Sequence, residues 1–140
     1  MKPGVRCALL LAVLSVAACA PDGPPASSVT GHDNPLLAEW QTEFDVPPFD
    51  LIENEHYLPA FREGMAQHKA DIQAIVENPE APTFANTIEA LERAGAMYTR
   101  VARVFGAVNG AHTNDALQEV ARTLAPERAA HGDDIILDPA

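Results

Sequence analysis

The sequence predicts a mainly α-helical protein, an antiparallel helical hairpin within a set of three to four helices. Apolar residues recur at steps of three and four in three stretches from residue 55 onward, which is the spacing of one helix face. Between these stretches lie residues that stop or start helices, such as Asn78, Pro79 and Asn114. With 140 residues, the chain has room for one domain at most.

Residues 1–18 have the features of a signal peptide. Lys2 and Arg6 form a basic start, and the apolar run CALLLAVLSVAA follows. This run is shorter than the roughly 20 residues that a membrane-spanning helix needs. It therefore indicates a signal sequence that is removed, not a membrane anchor.

The end of this segment indicates a lipoprotein. The residues that match the bacterial lipobox are Val16, Ala17, Ala18 and Cys19. In that motif the small side chains fit a peptidase cleft, and the thiol carries diacylglycerol. An ordinary signal peptide cut before a cysteine is the alternative. We expect an exported, periplasmic protein that contacts a membrane only through a lipid on Cys19, and Ala20 after it favours the outer membrane.

Residues 19–34 predict a flexible tether, because Pro, Gly, Ser and Asp dominate and no apolar periodicity appears. Charge argues against a nucleic-acid partner, which needs clustered Lys and Arg. Without Lys2 and Arg6, the 9 basic residues fall to 7 against 20 acidic ones, a formal charge of −13. With Cys7 removed and Cys19 lipidated, neither of the 2 cysteines remains for a disulfide or a metal.

The body of the chain, residues 35–140, begins with an irregular segment. Residues 35–53 are too apolar for a linker, and Pro47 and Pro48 forbid a continuous helix. We expect a short helical turn followed by an extended stretch that packs on something larger. From residue 55, the spacing of Leu58, Phe61 and Met65 predicts a first helix that ends near Asn78.

A second helix is predicted to begin at the stretch NPEAPTFANTIEALERAG, with Thr83 or Asn86 as its cap. Asn86 and Glu89 are spaced as a capping box. The apolar face of this helix is predicted to run unbroken to its end near Gly106 and Gly110. It contains Ile88, Leu91, Tyr98, Val101, Phe105 and Val108.

A third helix is predicted to start at Thr113 or Asn114. Its apolar stripe comprises Leu117, Val120, Ala121 and Leu124. Pro126 is expected to kink or interrupt it, and the remaining residues to Ile136 continue the helical pattern.

No catalytic or metal-binding residue is predicted. The five histidines are His32, His56, His68, His112 and His131. None precedes Glu and no two are four residues apart, so the His-Glu-x-x-His zinc motif is absent. His68 lies on the apolar face of the first helix, where a packed, hydrogen-bonded side chain is expected. The other histidines are expected to be solvated or to cap helices.

Other chemistries find no support in the sequence. The serines are Ser15, Ser27 and Ser28, all in the predicted signal and tether, so no Gly-x-Ser-x-Gly elbow occurs. Acidic pairs such as Asp133 and Asp134 lack the loop spacing that gathers six or more oxygens around Ca²⁺.

Four runs of residues nevertheless point to a known family, namely PPFDLIENEHYLPAFREGMAQHKADIQAI, NPEAPTFANTIEALERAG, RVARVFGAV and HTNDALQEVARTLAPERAAHGDDIILDP. Through these runs the chain resembles the thimet oligopeptidase family of zinc metallopeptidases, in its peptidyl-dipeptidase and oligopeptidase A branch. The resemblance extends over about residues 34–139, nearly all of the chain after the predicted signal.

This resemblance implies the N-terminal part of a large, mostly helical peptidase with a deep channel, in which zinc and its ligands belong to a later part. Short peptides would be the substrates. The expected function is therefore a non-catalytic N-terminal fragment of an exported zinc peptidyl-dipeptidase, with no cofactor of its own. The alternative is a small helical lipoprotein that serves as an interaction module.

Overall fold

The computed structural model describes residues 34–137. Four helices lie in this range, and no residue of it is in a β-strand, so the mainly α prediction is confirmed. They are α1 (Asn54–Val76), α2 (Ala90–Arg93), α3 (Ala96–Ala111) and α4 (Asp115–Ile136), with a 3₁₀ turn at Glu43–Asp45 and a π-helical turn at Phe84–Glu89. The predicted signal peptide, the predicted tether up to residue 33 and residues 138–140 lie outside the described residues.

Helix α1 begins and ends where its local residues dictate. The Glu53 backbone N–H donates to Nδ1 of His56 at 2.9 Å, and the Glu53 backbone carbonyl accepts from the His56 backbone N–H at 3.1 Å. This reciprocal pair satisfies donors that the first turn leaves free. The helix ends at Val76, just before Asn78 and Pro79, as predicted. The expected capping role of His56 is confirmed.

The second helical segment begins at Thr83. Its hydroxyl accepts from the Asn86 backbone N–H at 3.1 Å, and the Asn86 side-chain oxygen accepts from the Thr83 N–H at 2.7 Å. Of the two predicted caps, Thr83 is therefore the cap, and Asn86 is its partner in the box. The π-helical turn that follows leads directly into α2.

The prediction of one unbroken second helix is wrong, because the chain turns at Ala94 and Gly95. Gly95 has a φ of +68°, which a glycine adopts without penalty. Its N–H donates to the Asp71 carboxylate of α1 at 3.0 Å. A Cβ at this position would lie 2.7 Å from the His68 ring, so the close approach to α1 also requires glycine.

Helix α4 is capped by Asn114, whose side chain accepts from the Leu117 N–H at 2.9 Å. The helix continues through Pro126 to Ile136, so the expected interruption does not occur. Pro126 is exposed, and the carbonyl that loses its N–H partner belongs to Arg122, which is exposed as well. Solvent can therefore satisfy that carbonyl.

The three long helices pack as an up–down–up arrangement. Tyr57 and Phe61 of α1 contact Phe105 of α3, while His68 stacks on Tyr98, so α1 and α3 are antiparallel. Arg62 pairs with Glu127 and Lys69 with Asp134, so α4 runs parallel to α1. The buried interior comprises Leu36, Tyr57, Ala60, Phe61, Val101, Val104, Phe105, Leu117 and Leu124. Within residues 34–137, no helix has the length and apolarity to cross a membrane.

The segment before α1 is partly fastened to this bundle. Leu36 is fully buried, and its carbonyl accepts from the Arg100 guanidinium at 2.9 Å. The same guanidinium lies 4.9 Å from the centre of the Trp40 ring. Asn34, the last residue of the predicted tether, is buried and donates to the His56 carbonyl at 2.8 Å. The first part of this segment thus packs on the bundle, whereas the extended stretch after the 3₁₀ turn, which was expected to pack on a larger body, leaves Phe49 and Leu51 exposed.

Candidate functional site

The lipobox residues that the sequence singled out lie outside the described residues. They are Val16, Ala17, Ala18 and Cys19. The structure therefore does not test lipid attachment, which stays a prediction.

The described histidines do not form a metal centre. Across residues 34–137, no group of three or more His, Cys, Asp or Glu side chains is placed to hold a metal ion. The described residues therefore offer no set of donors that fits the zinc implied by the family resemblance. His112 is exposed, as expected, and His32 lies outside the described range.

One cluster of polar side chains does stand out, between the second halves of α1 and α4. Nδ1 of His68 lies 3.0 Å from Nε2 of His131, and His131 is only 5 % exposed. Tyr98 of α3 stacks on His68 with an interplanar angle of 24°, and Arg128 donates to the Tyr98 hydroxyl at 3.1 Å. We call these four residues the histidine cluster.

The prediction for His68 is confirmed, because it is packed and hydrogen-bonded. The prediction that His131 is solvated or caps a helix is wrong. A signal for its burial is present in the sequence, since Leu117, Leu124 and His131 follow one another at steps of seven. That spacing places all three on one helix face, and all three are buried.

The environment of His131 disfavours its charged form. Burial lowers the pKa of its imidazole, and the nearby His68 and Lys69 lower it further, while Asp134 opposes them. The ion pair with Lys69 in turn lowers the pKa of the Asp134 carboxyl. These surroundings favour the neutral imidazole of His131.

A second feature is an apolar surface on the segment that includes α2. Phe84 is 69 % exposed, Ile88 46 % and Leu91 51 %. The opposite side of this segment carries the small residues Ala90 and Ala94, which together with Ile75 of α1 line a shallow groove. We call Phe84, Ile88 and Leu91 the outer apolar surface. A monomeric bundle gains nothing by exposing it.

The segment before α1 also carries exposed apolar side chains. Phe44 is 88 % exposed, and Phe49 and Leu51 are at least half exposed. Phe44 has a φ of +59°, a left-handed conformation that is strained for a bulky side chain. This part of the segment, unlike Leu36, is not covered by the described residues.

The chain is similar in sequence to bacterial dipeptidyl carboxypeptidases. Dipeptidyl carboxypeptidase of Salmonella typhimurium is 47 % identical over 107 residues, which are 76 % of this chain and 16 % of that protein. Dipeptidyl carboxypeptidase of Escherichia coli is 48 % identical over 105 residues, 75 % of this chain and 15 % of that protein. The chain belongs to the thimet oligopeptidase family. The resemblance inferred from sequence is thus confirmed.

Oligopeptidase A of Salmonella typhimurium is a more distant relative in the same family, with 27 % identity over 93 residues, 66 % of this chain and 13 % of that protein. No family model matches the chain. The chain spans about a sixth of the length of the dipeptidyl carboxypeptidases that it matches. Most residues of those two relatives thus lie outside the part that aligns with this chain.

Proposed function

We propose that this chain is the N-terminal, non-catalytic helical part of an exported zinc peptidyl-dipeptidase that acts on short peptides. Its identity to dipeptidyl carboxypeptidases supports the peptidase assignment. The observation that carries the structural role is the outer apolar surface, Phe84, Ile88 and Leu91, left uncovered beside a well-buried interior. The rest of the peptidase covers this surface, and the zinc and its ligands belong to that remaining part.

An activity assay tests the non-catalytic role. The 140-residue chain is incubated with zinc and a peptide that has a free C-terminus, and dipeptide release is followed. We expect no release. Release that a chelator abolishes would contradict the proposal, because it would place the zinc-activated water within this chain.

A complementation assay tests the structural role. The chain is added to Escherichia coli dipeptidyl carboxypeptidase from which the segment that aligns with this chain has been removed. We expect the chain to restore dipeptide release. A variant with Phe84→Ser, Ile88→Ser and Leu91→Ser should restore much less, because it removes the apolar area that drives docking.

The matched control replaces three exposed polar residues, Glu63, Glu80 and Glu92, by Ser, and should restore release as the unaltered chain does. Equal rescue by both triple variants would show that the outer apolar surface does not dock on the peptidase. No rescue by the unaltered chain would count against the structural role.

The proposed lipid anchor has its own test. Cells that express the chain are grown with a labelled fatty acid, and the label on the protein is measured. We expect Cys19→Ala to abolish labelling and Cys7→Ala to leave it unchanged, because Cys7 lies within the signal peptide. Labelling that survives Cys19→Ala would refute attachment at this residue.

One observation favours the second candidate, a small helical lipoprotein that acts as an interaction module. Phe61, Val101 and Leu117 are at most 1 % exposed, so the bundle has an interior of its own. This candidate predicts cooperative unfolding together with failure to complement the shortened peptidase. Rescue of dipeptide release would rule against it.

A further inference from the structure

The histidine pair joins two helices that are distant in sequence. His68 lies in the second half of α1 and His131 in the second half of α4, and their rings meet at an interplanar angle of 60° with centroids 5.1 Å apart. The contact between Nδ1 of His68 and Nε2 of His131 is 3.0 Å, a normal hydrogen-bond length. Between two imidazoles such a bond needs one N–H and one lone pair.

The remaining nitrogen of His131 decides which ring donates. Nδ1 of His131 is buried and has no hydrogen-bond partner among residues 34–137. A buried N–H without an acceptor pays the full cost of losing water. The arrangement of lowest cost therefore leaves this Nδ1 without a proton, so that His131 donates from Nε2 to Nδ1 of His68.

One more proton has no favourable place in this arrangement, because the unprotonated Nδ1 of His131 would bury it without an acceptor. A proton on Nδ1 of His68 brings two N–H groups face to face at 3.0 Å. If His131 instead becomes the acceptor, its own proton moves to Nδ1, where it is buried without an acceptor. Either outcome removes the hydrogen bond or buries an unpaired donor, and both oppose the contact between the helices.

The charged groups around the histidine pair do not lower the cost of an added proton. On α1, Lys69 is a cation, and Asp71 is engaged by the Gly95 N–H. On α4, Asp134 pairs with Lys69, and the cation Arg128 binds the hydroxyl of Tyr98, the α3 residue that packs on both rings. Asp134, the acid whose charge acts on His131, is thus already paired with a cation.

We propose that the His68–His131 pair is an acid-sensitive contact that holds the second half of α4 on α1 at neutral pH, and that uptake of a proton by the pair on acidification releases it. The proton is taken from solvent, and no bond other than hydrogen bonds changes. Two imidazole nitrogens with no third ligand among the described residues do not make a metal site, so the pair acts through protons.

The direction of the pH effect follows from linkage. The folded-state pKa of His131 is lowered, chiefly by burial. In the unfolded chain histidine takes up protons near pH 6.5. The stabilisation is therefore complete above about pH 6.5, and it is lost as the pH falls from there through the folded-state pKa. The folding constant falls about tenfold for each unit between the two pKa values.

The test is an NMR titration of the full 140-residue chain, with a chelator present, that follows each imidazole from pH 8 to pH 4. Exposed His112 is the internal control. We expect His131 to take up its proton at a lower pH than His112. We also expect the α4 amides after Leu124 to lose exchange protection in the same range, while the α3 amides keep theirs. Titration of His131 together with His112 would overturn the proposal.

A variant provides the second measurement. His131→Phe fills the site with a ring that cannot take up a proton, and His112→Gln is its control. Unfolding midpoints between pH 7.5 and pH 5 should fall more steeply for the wild type and for His112→Gln than for His131→Phe. A parallel fall in all three would refute the proposal, and if His131→Phe does not fold, the imidazole titration decides alone.

Discussion

The interior of the bundle and the outer apolar surface have the same kind of sequence pattern, yet only the interior is covered by other residues of the described structure. Phe61, Val101 and Leu117 are at most 1 % exposed, whereas Phe84, Ile88 and Leu91 are 46–69 % exposed. Phe61, Val101 and Leu117 each belong to an apolar stripe of their own helix. Phe84, Ile88 and Leu91 follow one another at the same helical steps of three and four. The difference shows that periodicity identifies an apolar face but does not say whether its partner lies in the same chain.

The largest expected contrast in stability is between removing a buried aromatic ring, that of Phe61, and removing an exposed one, that of Phe84. Phe61 is fully buried and contacts Tyr98 and Phe105 edge to face. Phe61→Ala should therefore lower the free energy of unfolding by about 3–5 kcal/mol. Phe84→Ala, in this chain alone, should change it by less than about 0.5 kcal/mol. Urea unfolding of both variants measures the contrast, and similar losses would mean that Phe84 is buried.

A smaller contrast is expected between two glycines. Gly64 of α1 lies so close to α3 that a Cβ would meet the Tyr98 backbone at 2.9 Å. Gly64→Ala should cost about 1–3 kcal/mol of stability, because the two helices must move apart. A Cβ at Gly106 would meet no atom of another part of the described structure within 4 Å, so Gly106→Ala should stabilise by about 0.4–1 kcal/mol through lower chain entropy. Stabilisation by both changes would show that α1 and α3 are not in close contact.

Removal of the Thr83 cap should have a more local effect, on the helical segment that carries the outer apolar surface. Thr83→Ala removes the hydroxyl that accepts from the Asn86 N–H, at a cost of about 1 kcal/mol. Hydrogen exchange of the amides from Asn86 to Arg93 should speed up, while α1 is unchanged. Thr99→Ala, on the exposed side of α3, is the matched control and should leave these amides as they are.

The smallest effect is expected at the ion pair between α1 and α4. Arg62 binds both Glu127 oxygens, at 2.6 and 3.0 Å, and lowers the pKa of that carboxyl. Because both side chains are partly exposed, Glu127→Gln should cost less than about 1 kcal/mol, and added salt should shrink the difference. Glu119→Gln, which breaks a pair within α4, should cost less still. A loss at Glu127 that salt does not alter would contradict this assignment.

Sequence alone was sufficient where the structure is decided locally. The start of α1 at Asn54 lies one residue from the prediction made from apolar spacing, and its end before Asn78 and the start of α4 after Asn114 follow from a proline and a capping side chain. The thimet oligopeptidase family was also evident from the sequence, because its runs of residues are distinctive.

What sequence could not provide depends on contacts between helices. The break at Gly95 is set by its approach to His68 and Asp71 on α1, and no local pattern reports that approach. The pairing of His131 with His68, unlike the burial of His131 itself, follows from the position of α4 beside α1. The continuation of α4 through Pro126 depends on which side of the helix meets solvent.

The most direct test of the account is hydroxyl-radical footprinting of the chain, free and mixed with the shortened Escherichia coli dipeptidyl carboxypeptidase. We expect Phe84 and Leu91 to be oxidised in the free chain and protected in the mixture, and Phe61 to be protected in both. Protection of Phe84 and Leu91 in the free chain would mean that the bundle already covers them, and equal oxidation in both samples would mean that the peptidase does not.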